Sequence, residues 1–241
     1  MLFACTMADR LVFMPPAPSY GLSDEGVIQF GEEKEFSGFY FPASESSAPT
    51  LLWAHGNAED AGNVRPLARM IQAEGMGVLM YDYPGYGLSE GAPNEGGTYR
   101  SAEAAFDFLT KEQKRAPKSI VLVGQSVGSG PSTYLAEKGE VGRLVLISPF
   151  KSAFRVVTKV KVLPWDRFDN WKRIKEVDIP LLVIHGDADE VVPFAHGKAL
   201  FERHGGKKTF LPLEGVGHND LWRNSAGEVV EAVMKFAGEI E

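Results

Sequence analysis

Residues 124–128 read Gly-Gln-Ser-Val-Gly, the G-x-S-x-G spacing. The pattern carries chemistry when a strand runs into it and a helix leaves it. The central serine then sits on a tight turn with its oxygen projecting above the sheet. Side chains two residues to either side would collide with such a turn, and Gly124 and Gly128 bring none. Residues 120–124 (IVLVG) have the character of a buried strand and 127–137 that of a helix, so the context is present. The helix start behind Ser126 also favours developing negative charge. Ser126 is the candidate nucleophile.

A serine hydroxyl is a weak nucleophile at neutral pH and needs an adjacent base that is oriented by a third group. Where this turn occurs, the partners follow in the order serine, acid, histidine. The apolar run 181–185 (LLVIH) leads into Gly186-Asp187-Ala188-Asp189-Glu190, and an acid just past the C-terminal end of a strand faces the ligand-binding rim. Asp189 is preferred, because the third position after Gly186 lets the loop turn back over the site. Asp187 is the reserve candidate, more suited to shaping the loop through side-chain to backbone hydrogen bonds. Of the five histidines, His55 and His185 end buried strands and read as structural. His196 and His204 fall on an amphipathic helix, in a solvated or packed role. His218 follows Gly215 and Gly217 in a loop able to aim an imidazole at the same rim, and is the candidate general base.

Acyl transfer also requires donors for the oxyanion. The Val127 N–H, next after the nucleophile, is one. The loop in 53–58 (WAHGNA) supplies the other, the Asn57 N–H; losing such a donor costs about a hundredfold or more in rate. The loop 82–89 (DYPGYGLS) is expected to be mainly structural, with Tyr83 or Tyr86 the residues of it that would touch substrate. No His/Cys cluster has metal-ligand spacing, and the serine route needs neither a metal nor an organic cofactor.

The elements that must hold these residues follow from periodicity. Short apolar runs at 50–55, 78–83, 120–124, 144–147 and 181–185, with a weaker sixth at 209–213, alternate with amphipathic stretches at 60–74, 98–115, 127–137, 195–204 and 226–240. Two earlier segments, 27–30 and 35–41, suit an antiparallel hairpin. The sum is an α/β fold with a mostly parallel central sheet and helices on both faces, in one domain over 1–241. One stretch, 149–178, breaks the rhythm and reads as a small cap inserted between two strands, or as a surface excursion with a solvated basic face. It carries eight basic against four acidic residues, a local excess of +4 in a chain of net charge −7. Its apolar residues, among them Phe154, Val156, Val157, Leu163, Trp165, Phe168 and Trp171, suit an acyl pocket; its cations, including Lys151, Arg155, Lys159 and Lys161, would meet an anionic substrate or a membrane surface.

The acidic balance argues against general nucleic-acid binding. With Cys5 as the one cysteine, no internal disulfide can form, and Cys5 itself reads as an inert N-terminal residue. Residues 1–14 show neither a signal peptide nor a membrane span, which makes a cytoplasmic location the default expectation. The expected partner is a small-molecule or acylated substrate. Oligomeric state is left open.

Residues 55–58 (HGNA), 82–89, 124–128, 186–193 and 217–220 (GHND) together resemble the α/β-hydrolase superfamily. The chain is most similar to the small-cap subfamily of bud-emergence-type and α/β-hydrolase-domain proteins, some of whose members are membrane-anchored palmitoyl-protein thioesterases. Residues 11–20 (LVFMPPAPSY), Pro131, Ser148-Pro149 and Phe168-Asp169-Asn170 fit as well, so the likeness spans nearly the whole chain. It implies the α/β-hydrolase fold, a Ser126–Asp189–His218 triad and Asn57 and Val127 as oxyanion donors, and it favours Asp189 over Asp187. The anchored members carry a cysteine-rich, lipidated N-terminus, whereas this chain has Cys5 alone and stable anchoring takes two signals. The expected function is hydrolysis of carboxylic esters or thioesters through an acyl-enzyme. The alternatives are a peptidase-like or other acyl transfer on the same triad, and a non-enzymatic ligand-binding scaffold.

Overall fold

The computed structural model describes residue 9, residues 12–153, residue 156 and residues 166–239. Cys5 and the cap residues Phe154, Arg155, Val157, Lys159, Lys161, Leu163 and Trp165 lie outside them, as does the end of the last expected helix. Among the described residues there are eight strands: β1 (Val27–Phe30), β2 (Phe36–Phe41), β3 (Thr50–Ala54), β4 (Gly77–Tyr81), β5 (Ile120–Gln125), β6 (Arg143–Ile147), β7 (Leu181–Gly186) and β8 (Lys208–Leu213). They form one sheet in the order β1-β2-β4-β3-β5-β6-β7-β8. The β1–β2 and β2–β4 pairs are antiparallel and the rest parallel. Strands β3 to β7 are covered on both faces, which is why they read as unbroken apolar runs. Strand β8 lies at the sheet edge and is only partly buried, with Pro212 in it, which accounts for its weak signal.

Alternate side chains of each strand enter opposite cores. Leu52, Ala54, Leu122, Leu144 and Val183 pack on one face, and Leu51, Trp53, Val123, Val145 and Ile184 on the other. The first core is closed by α2 (Glu95–Asp107), α3 (Ser129–Glu137) and α5 (Ala195–Arg203), through Ala102, Leu135 and Leu200. The second is closed by α1 (Arg65–Ala73) and α7 (Ala226–Gly238), through Ile71, Val229, Val233 and Phe236. Each such buried aliphatic or aromatic side chain contributes about 1.5–3 kcal/mol.

Two helix starts differ from the periodicity. Helix α1 begins five residues later than its apolar pattern, because Asp60 and Asn63 exchange side-chain to backbone hydrogen bonds of 3.0 and 3.1 Å and hold a turn; Pro66 then opens the helix. Helix α2 begins earlier than 98, because Asn94 caps it by accepting the Gly97 N–H at 2.8 Å. Gly96 and Gly97 hid that turn from a propensity reading.

The 149–178 segment leaves β6 and returns to β7. Its described part includes the short α4 (Asn170–Arg173) and a following 3₁₀ turn (Ile174–Glu176). It docks on the start of α3, directly behind Ser126. Phe168 is fully buried against Gly130, where a β-carbon would strike the ring. Asn170 Nδ2 donates to Ser129 Oγ at 3.1 Å and to the Phe150 carbonyl at 3.0 Å. Several cations of the segment are engaged within the protein: Arg167 with Asp9 at 2.8 Å, Arg173 with Glu137, Lys175 with Glu176 at 2.7 Å, and Lys151 over the Trp171 ring at 5.8 Å.

Candidate functional site

Strand β5 ends at Gln125, and Ser126 opens a single 3₁₀ turn (Ser126–Gly128) that feeds α3. The Ser126 φ is +50°, in the left-handed region. Such a conformation costs about 1–3 kcal/mol and persists only where the surroundings enforce it. They do so here by close approach. A β-carbon at Gly124 would press on the Gly128 carbonyl, and one at Gly128 would collide with the Ala54 carbonyl of β3.

Three loops at the C-terminal ends of β5, β7 and β8 converge. His218 Nε2 lies 3.1 Å from Ser126 Oγ, and His218 Nδ1 lies 2.7 Å from Asp189 Oδ2. With a carboxylate facing Nδ1, the proton belongs on that nitrogen, and Nε2 is left to accept from the serine hydroxyl. Asp189 is buried, and its Oδ1 accepts the N–H groups of Val191 at 3.0 Å and Val192 at 2.7 Å. Burial alone would raise its pKa. Hydrogen bonds from His185, His218 and the Val192 N–H outweigh it and hold the carboxyl well below the usual carboxylate range. Asp187 points elsewhere, accepting the Gly215 N–H at 2.7 Å, and Glu190 accepts the His218 N–H at 3.3 Å.

The other histidines have separate duties. His185 donates through Nε2 to the Val192 carbonyl at 2.9 Å and stands 3.4 Å from Asp189 Oδ2, bracing the acid from behind. His196 is buried and its Nδ1 accepts the Lys151 N–H at 3.2 Å; His204 is buried too. His55, fully buried, pairs through Nε2 with Asp82 at 3.2 Å and donates through Nδ1 to the Gly56 carbonyl at 2.7 Å. Burial disfavours the His55 cation, but Asp82 outweighs it and the net shift of the His55 pKa is upward. Asp82 is held in turn by the Tyr20 hydroxyl and by the Ala61 N–H at 2.9 Å.

Asn57 and Val127 line the same cleft as Ser126 and His218. Val127 lies in the first turn leading into α3, where backbone N–H groups lack intrahelical acceptors. The Asn57 side chain does something the sequence did not announce. Its Oδ1 accepts the Met14 N–H at 2.9 Å and the Tyr86 hydroxyl at 2.6 Å, and its Nδ2 donates to the Val12 carbonyl at 2.7 Å. The amide thereby clips residues 12–14 beside the site. Tyr83 donates to the His55 carbonyl at 2.6 Å; neither Tyr83 nor Tyr86 lines the cleft, so the aromatic loop braces and does not touch it.

The cleft measures about 830 Å³. Its apolar walls include Val12 and Met14 from the N-terminal segment, Phe150 and Val156 from the 149–178 segment, Val191, and Trp222. Polar side chains sit on it at Glu59, Gln125 and Asn219, with Trp222 Nε1 donating to Gln125 Oε1 at 3.1 Å. Val12, Met14, Glu59 and Trp222 are lining residues that the sequence reading missed; no local motif marks them. Among the described residues, no group of three or more His, Cys, Asp or Glu is placed to hold a metal ion. No helix among them is long and apolar enough to cross a membrane.

Comparison with known proteins agrees with this architecture. Residues 49–171 match the α/β-hydrolase fold family. The chain is 32% identical to human α/β-hydrolase domain-containing protein 17B, over 99% of this chain and 94% of that protein. It is 32% identical to α/β-hydrolase domain-containing protein aho-3 of Caenorhabditis elegans, over 93% of this chain and 76% of the relative. Among solved structures, an esterase of Pyrococcus furiosus superposes with a TM-score of 0.76 at 16% identity, covering 95% of this chain and 98% of the other.

Proposed function

This chain belongs to the α/β-hydrolase fold family, and within it we propose a serine hydrolase that cleaves carboxylic esters or thioesters through an acyl-enzyme. The observation that carries the proposal is the continuous chain from Ser126 Oγ through His218 to Asp189, with links of 3.1 and 2.7 Å. Ser126 attacks the carbonyl carbon as His218 Nε2 takes its proton. Asp189 keeps the imidazole in the required tautomer and stabilises the imidazolium. The Asn57 and Val127 N–H groups receive the oxyanion. His218 then returns the proton to the departing alcohol or thiol, and activates water for deacylation.

The apolar walls support an acyl group as the part of the substrate held longest, and the 149–178 segment acts in this reading as a cap over that chain. A scaffold that only binds has no need of a serine kept at a φ of +50° in contact with an imidazole, which favours turnover over passive binding.

Hydrolysis of a p-nitrophenyl acyl ester series, wild type beside Ser126→Ala, tests the reading. Turnover in the wild type and its loss in the variant are expected, with the optimum chain length reporting the cleft. Equal rates in the two proteins would remove Ser126 from the mechanism. Silence in both, together with no labelling by a fluorophosphonate, would leave the binding scaffold.

A further inference from the structure

The cleft is walled mostly by apolar groups, and among its described residues the charge is one-sided. Among the described residues that line it there is no lysine or arginine, and Glu59 is the one carboxylate. The described cations of the 149–178 segment do not reach it. Glu59 is held by one oxygen: its Oε1 accepts the Gly56 N–H at 2.6 Å, in the loop that carries Asn57. Its Oε2 has no hydrogen-bond partner among the described residues.

His218 must protonate the leaving atom, so the leaving group departs toward His218. Glu59 lines the cleft together with His218, and the Gly56 turn it holds abuts the amide of Gln125, which Trp222 grips four residues beyond His218. Val12, Met14, Phe150 and Val156 add apolar side chains to the lining. A half-buried carboxylate with a free oxygen, in a cleft that also holds an indole, is a receptor for a positive charge.

We infer that Glu59 makes the leaving-group side of the cleft select a short thiol or alcohol bearing a cationic centre and reject an anionic one. The inference rests on the serine-hydrolase reading and deepens it. Burial pushes the Glu59 carboxyl up against the opposing pull of His55 and the Gly56 N–H, and a bound cation would bring it back toward its ordinary value.

Three thioesters of one acyl chain separate the possibilities: the thiocholine ester, its neutral 3,3-dimethylbutanethiol isostere, and the 3-mercaptopropionate ester, followed by thiol release. The wild type is expected to favour thiocholine over mercaptopropionate in kcat/KM by about tenfold or more, with the neutral ester between them. Glu59→Gln keeps an acceptor for the Gly56 N–H and should compress that ratio to about threefold or less, whatever the common change in rate. Glu59→Lys should invert it. Equal rates on the three esters, or a ratio that survives in Glu59→Gln, overturns the inference and leaves the hydrolase reading standing. No turnover of any of them, the neutral ester included, overturns the hydrolase reading and this inference with it.

Discussion

Two histidine–aspartate pairs lie within one small region of this molecule, and they differ in what the second imidazole nitrogen meets. In the His218–Asp189 pair the carboxylate takes Nδ1 and leaves Nε2 facing Ser126 and the cleft. In the His55–Asp82 pair the carboxylate takes Nε2, the Gly56 carbonyl takes Nδ1, and both side chains are fully buried. The first imidazole has a nitrogen to spare for proton transfer; the second has none. The same two residue types thus serve the proposed chemistry in one place and scaffolding a few residues from the proposed oxyanion donor in the other.

The sharpest way to break this contrast is at the acids. Asp189→Asn presents the wrong hydrogen-bonding group to His218 and is expected to lower kcat by about 10³–10⁴-fold, with a modest change in melting temperature. Asp82→Asn should do the reverse. Removing one partner of a buried pair typically costs about 3–5 kcal/mol, so chemical denaturation should report a large loss of stability, with the residual folded fraction still turning over ester. A rate loss in Asp82→Asn at unchanged stability would merge the two pairs into one machine.

A smaller effect is expected from pH. The folded pKa of His55 is raised above its ordinary 6.5, so folding favours the protonated form. Its contribution to stability is complete below about 6.5 and is lost as pH rises through the folded value. Urea midpoints measured upward from pH 6 should therefore decline, and His55→Asn should flatten that slope. The smallest expected effect is at the Asn57 amide. Asn57→Ala keeps the backbone N–H but frees residues 12–14, and about a tenfold fall in kcat/KM with a shifted chain-length optimum is expected. An unchanged optimum would show that the N-terminal segment is not a wall of the acyl side.

What the sequence made legible follows the range of the interactions. The elbow at 124–128 is local, because glycines flanking a serine encode a close approach within five residues. Asp189 and His218, which the structure brings to Ser126, could be singled out because each follows a strand and a glycine. The sheet was legible wherever both faces are buried, and faded at β8, where only part of the strand is. Illegible were contacts whose partners are distant in the chain: Asn57 with Val12 and Met14, His55 with Asp82, Phe168 with Gly130. His55 and His185 are fully buried, as residues ending buried strands are expected to be, but nothing local named what each would hold. Glu59 carried no motif, and its place on the cleft depends on how the loop after β3 turns back toward Gln125.

The clip at Asn57 has one more consequence. Part of the cleft wall is no portion of the sheet; it is a strap, fastened at Val12 and Met14 by hydrogen bonds to an amide and a phenol. A pocket built this way is adjustable without rebuilding the engine. The bulk of two side chains on the strap can lengthen or shorten the chamber while the strands, the elbow and the loop after β3 keep their positions, so under the proposed hydrolase reading substrate range and catalytic power would be tuned on separate dials.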